Sequence, residues 1–107
     1  MSAKPARVPT LIVGGGIGGL TTALALAQRG RQVMVWEKAP EFAELGAGLQ
    51  LAPNALHVLD QLGLLPEVAK HAVFPSRLVW MDAIREQPIT AIDLGPEFQF
   101  RYKQRYV

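Results

Sequence analysis

The chain has 107 residues, half of them hydrophobic, with 11 basic side chains against 9 acidic ones for a formal net charge of +2. The hydrophobic residues are spread along the whole chain, which argues against disorder. Near-neutral charge argues against a general attraction to nucleic acid or anionic membrane, because Arg101, Lys103 and Arg105 concentrate the excess in the tail. There is no cysteine, so disulfides, thiolate metal sites and cysteine nucleophiles are excluded. No run approaches the roughly 18 to 20 apolar residues of a membrane span, and the N-terminus lacks a signal-peptide pattern, so a cytoplasmic location is the default expectation.

Residues 1–7 read as a loose lead-in. Val8 to Val13 is short, apolar and β-branched, the pattern of a buried parallel strand with Pro9 at its beginning. After GGGIGG, the stretch LTTALALAQRG favours a helix, with Gly30 placed for a left-handed C-terminal cap. Ala23, Ala25 and Ala27 are small enough to let that helix lie close to a sheet. Val33 to Trp36 reads as a second strand buried on both faces, completing a βαβ unit over residues 8–37.

Pro40 to Ala47 reads as a loop. LQLAPNALHVLDQLGLL combines an extended piece with a helix that has Pro53 in its first turn, Leu56, Leu59 and Leu62 at helical spacing, and Gly63 as its stop. Residues 64–74 form a further short helical stretch. Arg77–Ala83 and Pro88–Leu94 read as an antiparallel hairpin turning through Ile84–Gln87, so that 76–95 begins an antiparallel sheet. FQFRYKQRYV alternates apolar and polar residues, which suggests another strand. The chain stops inside that pattern, the expectation for the N-terminal part of a longer α/β protein.

The chemistry lies in the first glycine loop. A lone GxGxxG is weak evidence, but Gly14, Gly16 and Gly19 sit between a predicted strand and a predicted helix. The first glycine suits the tight turn, the second admits a pyrophosphate to the backbone, and the third permits close helix–strand packing. Free N–H groups around Ile17 and Gly18 would face the phosphates along the helix dipole. Glu37 lies at the end of the second strand, 18 residues after Gly19, where an acid accepts the adenosine ribose hydroxyls and repels a 2′-phosphate. The expected ligand is FAD or NAD; the fingerprint does not separate them.

GGGIGGLTTALALAQRG at 14–30, VWEKAPEFAELGAGLQLAPNAL at 35–56 and MDAIREQPITAIDLGPEF at 81–98 resemble the class A flavin-dependent aromatic hydroxylases, the group that includes hydroxybenzoate and salicylate hydroxylases. GAGLQLAPNA is the most specific portion, since NAD-linked dehydrogenases do not carry it. The resemblance implies FAD as cofactor, NADH or NADPH as co-substrate, and hydroxylation of a phenolic ring by oxygen. It also implies that Gly48, Leu49 and Gln50 run beside the ribityl chain and flavin, and that Lys38 lies near the adenosine. Gly46 and Gly48 flank one alanine, which would let backbone approach a flat ring. The hairpin would then begin the substrate-side sheet, and the tail would be an extended segment approaching the flavin. Residues that hold the aromatic substrate belong to later parts of a longer chain, so no catalytic residue is assigned. Two further readings stay open: a non-catalytic ADP- or FAD-binding fragment, and an FAD- or NAD-dependent dehydrogenase.

Other polar residues carry less. His57, between Leu56 and Val58, reads as structural, and His71 as lacking an acid or histidine at metal spacing. Asp82, Asp93 and Glu97 read as scattered on strand ends without forming a carboxylate pair. Trp36 and Trp80 read as core anchors.

Overall fold

A computed structural model describes residues 8–42 and 48–107. The chain divides into two compact units, Met1–Leu45 and Gly46–Val107.

In the first unit, β1 (Thr10–Val13), α1 (Ile17–Gln28) and β2 (Val33–Trp36) form the expected βαβ crossover. The strands pair in parallel from Thr10 opposite Val33 to Val13 opposite Trp36. The ladder is prolonged when Gly14 N–H donates to Trp36 O at 2.7 Å. Leucine and alanine favour α1, and Gly30 ends it in the left-handed region at φ 71°. Gly30 N–H donates to Ala27 O and Arg31 N–H to Leu26 O, which satisfies two of the carbonyls that a helix end leaves orphaned.

Burial on both strand faces is not observed. Helix α1 packs on β1 and β2 from one side, where Ile12, Val33 and Val35 are half-buried. Leu11, Val13, Met34 and Trp36 alternate onto the opposite face and are exposed, Trp36 at 58%. Two strands with one helix can cover one face only, since successive strand side chains point to opposite sides. Trp36 is therefore not a core anchor among the described residues, and neither is Trp80, which is 47% exposed.

The second unit contains α2 (Pro53–Gln61), α3 (Leu65–His71), β3 (Arg77–Asp82), β4 (Gln87–Asp93) and α4 (Pro96–Tyr102). Pro53 occupies the first turn of α2. Gly63, at φ 74°, closes that helix as Gly30 closes α1, with Gly63 N–H donating to Asp60 O and Leu64 N–H to Leu59 O. Leu56, Leu62 and Leu94 are buried, and Leu56 has no exposed surface at all.

β3 and β4 pair antiparallel, with an irregularity between Trp80 and Met81 that leaves Ile89 as the extra residue beside Pro88. A proline is tolerated there because a bulge breaks the regular donor ladder. The turn is organised by Asp82, whose Oδ1 accepts from Ile84 N–H at 2.8 Å and Arg85 N–H at 3.1 Å. Those two donors, Arg85 first, hold the Asp82 carboxyl below its ordinary pKa.

The tail departs from the expected strand. Pro96 and Glu97 start α4, a favourable first turn. The rings of Phe98 and Tyr102 meet one turn apart in a tilted contact, with centroids 4.6 Å from each other. Apolar residues in FQFRY alternate as in a strand, yet the start signal and the i,i+4 aromatic pair favour the helix. Lys103, at φ 54°, ends it. Extended character is confined to the last residues, where Leu51 and Val107 exchange both backbone hydrogen bonds, at 2.6 and 3.1 Å. Glu97 consequently lies in a helix turn and not at a strand end.

Candidate functional site

The glycine loop is built by the turn from β1 into α1. Gly14 has φ 106°, a backbone conformation that side chains rarely tolerate. A Cβ on Gly19 would lie 1.9 Å from Gly14 O and 3.5 Å from Ile12 Cγ2, so the helix approaches the strand more closely than alanine would permit. A Cβ on Gly16 would meet no atom within 4 Å, and the same holds for Gly18. The need for glycine at 14 and 19 thus comes from the fold itself. At 16 and 18 the protein imposes no such demand and leaves open space.

The start of α1 is also left open electrically. Its N-cap is Gly16, no side chain caps it, and its first turn holds no acid. The intrahelical ladder begins with Leu20 N–H donating to Gly16 O at 2.9 Å, so the N–H groups of Ile17, Gly18 and Gly19 precede it. Most helices satisfy these donors with a serine, threonine or acid. This donor set, at the positive end of a 12-residue helix, fits a pyrophosphate.

Glu37 is brought to this loop by the parallel pairing of β2 with β1. Its Oε2 accepts from Gly15 N–H at 2.5 Å and its Oε1 from Ala39 N–H at 2.8 Å. These backbone donors, Ala39 first and Gly15 second, hold the carboxyl below its ordinary value of 4.5. The group is therefore ionised at neutral pH and keeps lone pairs free on both oxygens. A carboxylate so placed can accept two vicinal hydroxyls and would repel a phosphate ester on either. Lys38 follows it, exposed.

Two residues at this site escaped the sequence reading. Gly15 donates to Glu37, and a Cβ there would lie 2.8 Å from Phe42 Cε1 and 3.1 Å from Glu37 Cβ and Oε2. Phe42 itself rests on Gly15 while staying 72% exposed. The only signals were a third consecutive glycine and an aromatic residue five places after the acid.

Gly48, Leu49 and Gln50 belong to the second unit. Gly48 has open space where a Cβ would stand, and Leu49 is 61% exposed. Both line a groove of about 650 Å³, with Leu51, Val68, Val73 and Val107 among its walls. Gln50 Oε1 accepts from Tyr106 OH at 3.0 Å, so its side chain already has a partner. Gly46 and Ala47, and with them the glycine-flanked alanine, lie outside the described residues.

Among the histidines, His57 Nε2 lies 2.9 Å from Tyr102 O and ties α2 to the end of α4, a structural role. His71 does have an acid at helical spacing: Glu67 Oε1 lies 3.7 Å from its Nε2. Lys70 also engages Glu67, at 2.6 Å. No group of three metal-ligating side chains occurs among the described residues, and no helix of those residues is long and apolar enough to cross a membrane.

Parallel strands joined by a glycine turn, an uncapped helix and an acid at the second strand's end define a dinucleotide-binding βαβ unit. The chain belongs to the FAD binding domain family, whose model matches residues 7–107. It is 46% identical over 106 residues to a 3-hydroxybenzoate 6-hydroxylase of Polaromonas naphthalenivorans, covering 99% of this chain and 26% of that protein. A 3-hydroxybenzoate 6-hydroxylase of Klebsiella oxytoca is 45% identical over 96 residues, covering 90% of this chain and 24% of the relative. Among solved structures, a 2-methyl-3-hydroxypyridine-5-carboxylic acid oxygenase superposes with a TM-score of 0.74 at 33% identity, covering 83% of this chain and 24% of that one. The chain thus spans about a quarter of the length of these relatives.

Proposed function

We propose that this chain is the FAD-binding N-terminal part of a cytoplasmic, oxygen-dependent aromatic hydroxylase that uses NADH or NADPH and acts on a hydroxybenzoate-like ring. The observation that carries the dinucleotide reading is Glu37, ionised and tied to Gly15 beside an uncapped helix start, and the FAD binding domain match over residues 7–107 supports FAD as that dinucleotide. The substrate class is supported by the relatives named 3-hydroxybenzoate 6-hydroxylase, at 45 to 47% identity.

In this reading Gly14 and Gly19 shape the loop, and Gly16 and Gly18 leave the space that the pyrophosphate fills. Ile17, Gly18 and Gly19 donate backbone N–H groups to it. Glu37 takes the ribose hydroxyls, with Lys38 beside the adenosine end. Gly48, Leu49 and Gln50 would line the flavin side, and residues 76–95 would begin the substrate-side sheet. FAD, when bound, supplies the redox chemistry. The contribution of these residues is to bind and orient it, and none of them is assigned to the hydroxylation step.

A chimera tests the proposal. Residues 1–107 would replace the corresponding segment of the Polaromonas hydroxylase. The expected result is retained FAD and conversion of 3-hydroxybenzoate to 2,5-dihydroxybenzoate with NADH oxidation. A folded chimera that purifies without FAD and cannot be reconstituted would refute the cofactor assignment. One that holds FAD and oxidises NADH while leaving hydroxybenzoates unreacted would refute the substrate class. The 107-residue chain alone is expected to form no 2,5-dihydroxybenzoate.

A further inference from the structure

Among the described residues of the first unit, Phe42 sets its aromatic ring against the glycine loop, and neither the fold nor the glycine pattern accounts for it. Its ring edge stands so close to Gly15 that a Cβ there would be 2.8 Å from Cε1. The same spot is bounded by Glu37, whose Cβ and Oε2 would each lie 3.1 Å from that Cβ. Phe42 therefore shares a corner with the carboxylate that Gly15 N–H holds at 2.5 Å. Yet 72% of the residue remains exposed, so contact with Gly15 uses only a small part of its apolar surface.

An aromatic ring left open beside a hydroxyl-accepting carboxylate suits a ligand that carries a sugar diol joined to a flat heterocycle. Stacking on such a ring works for any base, because every base presents a π face. We propose that Phe42 is a nucleoside-contacting residue, an apolar wall for the adenosine of a purine nucleoside diphosphate whose ribose hydroxyls are held by Glu37. The proposal rests on the FAD-site reading of the glycine loop and adds to it the surface that receives the base. Because the ring touches Gly15, Phe42 also limits how far the loop residue can move from Glu37.

Binding of ADP and of inorganic pyrophosphate to the 107-residue chain, measured by calorimetry for wild type, Phe42→Ala, Phe42→Leu and Phe42→Tyr, tests this. Pyrophosphate reads the glycine loop alone, whereas ADP reads the loop and the nucleoside wall together. Phe42→Ala is expected to weaken ADP about tenfold, the loss of one base–aromatic contact, with pyrophosphate binding unchanged. Phe42→Tyr should retain ADP affinity. Phe42→Leu, which keeps bulk against Gly15 without a π face, should fall between the two. ADP binding by Phe42→Ala equal to wild type overturns the proposal and leaves the loop assignment standing. An equal loss of ADP and pyrophosphate also overturns it, since Phe42 would then only prop the loop. If wild type binds pyrophosphate and no ADP, or neither, the site reading fails and this inference with it.

Discussion

The two units of this chain reach their shapes by different means. In the first, the described residues bury little beyond Ala23, and the geometry comes from backbone: a positive φ at Gly14, a contact at Gly19 too close for any side chain, and a parallel ladder. In the second, Leu56, Leu62 and Leu94 are buried, and side-chain burial acts beside the β3–β4 ladder. A loop that leaves open space at Gly16 and Gly18 is not filled by side chains, so glycine and hydrogen bonding take over where packing is absent. The first unit is therefore sensitive to added atoms and the second to removed ones.

That contrast can be broken most severely at Gly19. Gly19→Ala puts a methyl 1.9 Å from a backbone oxygen, a clash that no rotamer relieves. Binding of ADP, followed by calorimetry, is expected to vanish; near-normal affinity would show that the helix has room the glycine contact denies. The opposite operation in the second unit is Leu56→Ala. Removing a fully buried leucine is expected to cost about 2 to 5 kcal/mol in urea unfolding, and a loss under 1 kcal/mol would mean that α2 is not packed as described.

Gly16→Ala sharpens the comparison by separating fold from ligand. The added Cβ meets no protein atom, so stability should change by no more than about 0.5 kcal/mol while ADP affinity falls at least tenfold. Equal ADP affinity in the variant would move the pyrophosphate away from Gly16.

Glu37 provides a pH test. Its folded pKa is depressed, so its contribution is complete above the ordinary value of 4.5 and is lost as pH falls through the lower folded value. The stability that Glu37 contributes should therefore hold from neutrality down to that ordinary value and be lost in more acidic solution, read as a falling urea-unfolding midpoint. Glu37→Gln should flatten that acid limb and weaken ADP several-fold at pH 7. An unchanged acid limb in the variant would assign the titration to another group.

The smallest effect is expected at His57. Losing its bond to Tyr102 O in His57→Leu should cost about 1 kcal/mol and leave ADP binding alone. A larger loss would make the α2–α4 tie a principal support of the second unit.

Much of the glycine loop and its flanking elements was legible in the amino-acid order because it depends on local chemistry. Gly14, Gly16 and Gly19 at their spacing, Glu37 after a β-branched run, and Gly30 and Gly63 as helix stops all follow from rules that act within a few residues. Pro53 at the start of α2 was legible for the same reason. The tail was misread because FQFRY satisfies both periods: its alternation matches a strand, while Phe98 and Tyr102 meet one helical turn apart. A proline start and a local aromatic pair decided for the helix.

Burial was the other misreading. Apolar runs such as VMVW establish that a strand is meant to be covered, but not that both its faces find cover among these 107 residues; Trp36 and Trp80 remain half-exposed. The sequence by itself determined the βαβ unit and the acid at its second strand's end. Only the tertiary structure decided that Gly15 donates to that acid, that Phe42 stands beside them, and that the tail is helical before it pairs with Leu51. Spacing along a chain governs local backbone geometry, whereas contacts across 22 residues or more depend on how strands and loops come together in space.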